Sequence, residues 1–167
     1  MTVESNSSSK LSVMMKFLNY IYLPLSIIWL VCNAFGWLDG SVLENLYQSD
    51  SFFTKGMFDD TKLMGLGYIF FVGNLIMAII CLVSCIQFHN RSRKSTKLII
   101  LGLSAIGVCE FVEIAMVFLI GNFLKEEVGV GMSDLQYTVP LIIAIIGYAL
   151  GFAFKVFIEK NEDYFIN

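Results

Sequence analysis

Glu110 and Glu113 are the side chains of this sequence best placed to do chemistry. They stand three residues apart inside the run from Leu98 to Phe123, where the only other ionisable side chain is Cys109. A run of that length and apolarity reads as a membrane span, and a charge at mid-bilayer costs roughly 2.5–3.5 kcal/mol on insertion scales. Three residues on a helix bring side chains to within about 60° of each other, so the two carboxyls face one way. Three arrangements resolve their charge: a proton on at least one of them, a cation shared with a neighbouring polar group and water, or a basic group from another protein. A structural alternative is a pair of neutral carboxyls bonding helices together. Polar intramembrane contacts average only about 0.6 kcal/mol, which is little return for two such residues.

Depth counted at about 1.5 Å per residue identifies their candidate partners. Glu110 lies about 18 Å and Glu113 about 22 Å above Leu98, and Asn74 lies about 21 Å above Phe88 on the preceding apolar run. Trp29, Cys32 and Asn33 reach a similar level on the first run. Asn74 and Asn33 are therefore expected to share a binding site with Glu110 and Glu113. Every Lys, Arg and His falls near a span end or outside the spans, so no salt bridge within the chain is expected at that depth.

Other reactive groups suggest less. Cys81, Cys85 and His89 form an i, i+4, i+8 stripe, but its ends are about 12 Å apart, too far for one metal ion. Packing explains the cysteines, since a buried free Cys behaves as a small apolar residue. The sequence has no phosphate-binding glycine loop, no His-Glu-x-x-His and no Cys-x-x-Cys, and no base stands beside a nucleophile. No enzyme activity, cofactor, metal site or nucleic-acid binding is expected.

The elements that carry these residues are legible from composition. Of 167 residues, 57 % are hydrophobic and 15 % charged, and mean hydropathy is +0.74. Four apolar runs, at about 17–38, 63–88, 98–123 and 139–158, are each long enough to cross a hydrocarbon core about 30 Å thick. Their continuity predicts helices rather than the short alternating strands of a barrel. The fold class expected is all-α, a four-helix transmembrane bundle running up and down over residues 12–160, with tails at 1–11 (disordered) and 161–167.

Charge placement orients the bundle. Eight Lys/Arg lie in the N-terminal segment, the 89–97 loop and the C-terminal end, against three in the other two loops. The positive-inside rule puts both termini in the cytoplasm of a multi-pass cell-membrane protein. Arg91, Arg93 and Lys94 of the basic loop are candidate contacts for anionic lipid or a partner. In the external loop, Ser41 and Glu44 have capping-box spacing. Val42, Leu43, Leu46 and Tyr47 recur at helical spacing, which predicts a short interfacial helix, with Phe52 and Phe53 as further lipid or partner contacts. Pro24 should kink the first span. Gly147 and Gly151 permit close helix approach on the fourth.

Lys16-Phe17-Leu18-Asn19-Tyr20 leading into the first span, and the closing run from Phe157-Ile158 to Tyr164-Phe165-Ile166-Asn167, resemble uncharacterised small four-span membrane proteins of low-GC Gram-positive bacteria. The charged part of this tail is more acidic than in that family. The resemblance implies a bacterial inner-membrane location and carries no activity or site residue. Four short spans rarely enclose a substrate pathway alone, so a homo-oligomer or membrane-protein complex is expected. The function expected is that of a small transporter or channel-like protein whose carboxylate pair binds a proton or cation. The alternative is a non-transporting accessory, immunity or partner-binding subunit that docks through the same glutamates and the aromatic outer loop.

Overall fold

A computed structural model describes residues 11–39, 61–128 and 134–166, with side chains apart from those at 61–64, 66, 117–128 and 134–140. Every regular element among the described residues is helical. Helix α1 spans Leu11–Asp39, α2 Thr61–His89, α3 Thr96–Val128 and α4 Asp134–Lys160. Each is long and apolar enough to cross a membrane, and each contains one of the runs read from the sequence. Leu11 is already helical and packs against the core, so α1 takes in the last residue of the expected tail. The remainder of that tail, the interfacial helix of the first external loop, Phe52 and Phe53 lie outside the described residues.

Successive helices pack antiparallel. Tyr20 of α1 meets His89 of α2 near one end of the bundle, and Phe35 meets Phe71 near the other. Ser84 of α2 bonds the Leu98 carbonyl of α3, and Ser104 of α3 bonds the Gly151 carbonyl of α4. It follows that α1 and α3 run parallel. No more than 33 % of any apolar window is buried, and Ile28, Ile69, Ile79, Ile145 and Phe152 are exposed. Helices apolar all round are those whose outer faces meet something other than water.

The kink expected at Pro24 takes a specific form. Leu18–Tyr22 is a π-helical turn, closed by the Leu23 N–H on the Leu18 carbonyl. Proline has no N–H, and its ring crowds the carbonyl four residues back, here Tyr20. Widening the preceding turn relieves that clash. Ser26 then donates its hydroxyl to the Tyr22 carbonyl at 2.8 Å.

At the basic end, the chain leaves α2 through a Schellman motif. Ser92 N–H bonds the Gln87 carbonyl at 3.0 Å and Arg91 N–H the Phe88 carbonyl at 3.1 Å. Arg91 has φ 50°, a left-handed conformation normally given to glycine at that position. The C-terminal segment supplies the compensation. The Ile166 N–H donates to the Arg91 carbonyl at 3.0 Å, and the Arg91 guanidinium lies 4.5 Å from the Tyr164 ring centroid. Phe165, 2 % exposed, packs on Phe88. The expected tail is thus a docked strap over its described residues. Phe165→Ala should release it and raise tryptic cleavage of the 91–97 loop at least about tenfold, because cleavage follows the open population. Arg93→Ala, which removes an exposed ion pair to Glu162 at 3.8 Å, should change the rate little. Equal rates for Phe165→Ala and the native chain would show that the strap does not protect the loop.

Candidate functional site

Three helices converge on the two glutamates. Trp29 and Asn33 are one turn apart on α1, and Glu110 and Glu113 nearly so on α3. Because α1 and α3 run parallel, the two pairs match in register. The Trp29 indole N–H donates to Glu110 Oε1 at 2.9 Å, and Asn33 Nδ2 donates to Glu113 Oε2 at 2.8 Å. Asn74 enters from α2, where its Nδ2 donates to Glu113 Oε1 at 2.5 Å and to the Phe70 carbonyl at 2.9 Å. Asn74, Asn33, Glu110 and Glu113 are thus brought into one cluster, and Trp29 joins them.

Trp29 is the residue that sequence reasoning left out of the site. It lies four residues before Asn33, the spacing that repeats a contact one turn along. That spacing was the available signal.

The two carboxyls differ in surroundings. Glu113 is 5 % exposed and accepts an amide N–H on each oxygen. Glu110 is half-buried, and its partner Trp29 is 51 % exposed. Toward the basic end, Leu23, Leu30, Leu103 and Cys81 are fully or almost fully buried and close the bundle with apolar packing. Toward the other end, Trp37 is buried against Phe70 with ring centroids 4.5 Å apart. Trp37 Nε1 and Asn74 Oδ1 are buried without a hydrogen-bond partner. An unpaired buried acceptor is costly, so the amide oxygen of Asn74 is a reserve of hydrogen-bonding capacity next to Glu113.

Among the described residues neither glutamate forms an ion pair; the two ion pairs there are Arg93–Glu162 and Lys155–Glu159. Both carboxyls instead accept from neutral N–H donors. As oriented, those donors face both oxygens of Glu113, so either a proton or a cation there requires an amide to turn. If the Asn74 amide turns over, Oδ1 faces a protonated Glu113 and accepts from it.

The other candidate groups are dispersed. Cys81 Sγ contacts the Gly102 carbonyl at 3.3 Å, Cys85 Sγ the Asn19 carbonyl at 3.4 Å, and His89 Nδ1 shares a hydrogen bond with the Tyr20 hydroxyl at 2.9 Å. Each residue of the stripe has a different partner. No group of three or more metal-ligating side chains is assembled among the described residues. Arg91 and Arg93 are engaged by the C-terminal strap, whereas Lys94 is exposed. Compared with known proteins, the chain matches no family model, no curated protein and no solved structure.

Proposed function

We propose that this chain is a multi-pass membrane protein acting as a small transporter or channel-like protein, with Glu113 as its proton-binding group. The observation that carries this reading is the placement of Glu113 on the inner side of the bundle, sealed between two amides that can each present an N–H or an oxygen. Such a shell accommodates the charged and the neutral carboxyl with only rotation of side-chain amides. Glu110, half-buried beside Trp29, is the step between Glu113 and the outer surface of the bundle. Four apolar helices and the concentration of Lys/Arg at one end support a cell-membrane location with both termini in the cytoplasm.

A second reading is favoured by one observation. The Trp29–Glu110 pair is partly exposed on the α1–α3 side of the bundle, which leaves a polar seam facing outward. A second copy, or a partner helix with a basic or polar side chain, would cover it. Under this reading the protein is a non-transporting accessory or immunity-type subunit.

Proton flux into liposomes, followed with a pH-sensitive dye, separates the two. Native protein should dissipate an imposed gradient faster than empty vesicles, and Glu113→Gln should return the rate to that of empty vesicles. Native protein indistinguishable from empty vesicles would exclude autonomous proton transport. A membrane partner that co-purifies with native protein but not with Glu110→Gln would then support the docking role.

A further inference from the structure

We propose that the groove between α3 and α4 is a phospholipid site selective for the primary-amine zwitterionic headgroup of phosphatidylethanolamine. This rests on the reading that the helices span a membrane, but not on any role of the glutamates. The groove has a volume of about 350 Å³. Its walls are Ile100 and Val108 from α3, and Tyr148 and Phe152 from α4. Ser104 and Gly151, packed face to face, form its floor. The Ser104 hydroxyl is committed to the Ile100 carbonyl at 2.9 Å and the Gly151 carbonyl at 3.4 Å. The floor therefore offers no free donor to a polar ligand, and the lining suits an acyl chain. Tyr148 and Phe152 are exposed along the rim, so the groove opens to the side, where lipid would be.

The mouth supplies the selectivity. Lys155 lines the groove at the basic end of the bundle, and Glu159 stands one turn further toward that end, its Oε1 3.9 Å from Lys155 Nζ. Helix stability gains little from this pair. Lysine before glutamate at i, i+4 is the less favourable order, and a carboxylate in the last turn of a helix opposes the helix dipole. Half-exposed and loosely paired, both groups can turn to a ligand. Reading outward along α4, the order is apolar groove, cation, anion. Phosphatidylethanolamine has the complementary order of acyl chain, phosphate and ammonium. Phosphatidylglycerol lacks the terminal cation, and phosphatidylcholine has no N–H to donate to Glu159.

Native mass spectrometry of the full chain in detergent, with each of these three lipids added at equal chain length, tests the site. Phosphatidylethanolamine should be retained about tenfold over the other two, the ratio expected for one additional charge-assisted contact. The exchange Lys155→Glu with Glu159→Lys keeps the net charge and the ion pair but reverses their order, and should reduce that preference to less than about twofold. Glu159→Gln should likewise bring phosphatidylethanolamine down to the level of phosphatidylcholine. Val108→Trp, which fills the groove from its exposed rim, should displace all three lipids while helical circular dichroism is unchanged. Equal retention of the three lipids by native protein, retention of none, or a preference that survives the charge exchange would each overturn the proposal. Recovery of the chain outside the membrane fraction would instead overturn the spanning reading beneath it.

Discussion

Glu113→Leu should lower the unfolding free energy by about 2–4 kcal/mol, whereas Glu113→Gln should change it by less than about 1 kcal/mol. Leucine removes the acceptor of both Asn33 and Asn74. Asn74 keeps the Phe70 carbonyl, but the half-buried Asn33 loses its carboxyl bond, and leaving a donor stranded costs about 1–3 kcal/mol where water does not reach it. Glutamine retains one oxygen and replaces the other with an NH2 group, from which the unpaired Oδ1 of Asn74 accepts once that amide turns over. The same two variants should diverge from this order in flux, where both are inactive because neither side chain can exchange a proton. Reversible unfolding in mixed micelles measures the first effect and the liposome assay the second. A double variant, Glu113→Leu with Asn74→Leu, should regain part of the lost stability, because removing both partners is cheaper than stranding one. Equal stability of the Leu and Gln variants would mean that the amides do not depend on Glu113. A Gln variant with native flux would refute the proton-binding reading.

Gly107→Leu should be the most disruptive change in the α3–α4 contact, with a cost of about 3 kcal/mol or more. A side-chain carbon at Gly107 would overlap the backbone carbonyl of Gly147, so the helices must separate. In a bilayer, helix association depends on such close packing, because lipid leaves little hydrophobic gain to compensate. Gly147→Ala should cost less, since its nearest obstacle is the Gly107 Cα at 2.9 Å. Gly73→Ala is the control. Nothing lies within 4 Å of a carbon placed there, and alanine is the better helix former. The ranking Gly107→Leu, then Gly147→Ala, then Gly73→Ala should appear in unfolding midpoints. A Gly107 variant as stable as the native chain would show that α3 and α4 are not held at this crossing.

Much of the site was accessible by counting. A rise of about 1.5 Å per residue sufficed to put Asn33, Asn74 and the glutamates at one level, because long apolar helices are constrained in depth. Rotation about the helix axes was less accessible. Glu110 and Glu113 are close on the helical wheel, yet one is sealed and the other half-exposed. Side chains about 60° apart can fall on either side of the edge of a contact, and the crossing of α1 over α3 decides where that edge lies. Trp29 stands at the same depth, but its single N–H becomes decisive only opposite Glu110.

What the sequence by itself determined is the four helices and their alternating direction, with the basic residues placed toward the span ends. Those follow from the length of the apolar runs and from the placement of charge, properties that any packing of the helices must respect. Tertiary structure alone decided which N–H meets which carboxyl oxygen, that the π-helical turn falls ahead of Pro24, and that the C-terminal segment folds back on Arg91. These depend on donor and acceptor positions within a few tenths of an ångström. Such positions are set by how the helices seat against one another, and residue spacing along a single helix does not contain them.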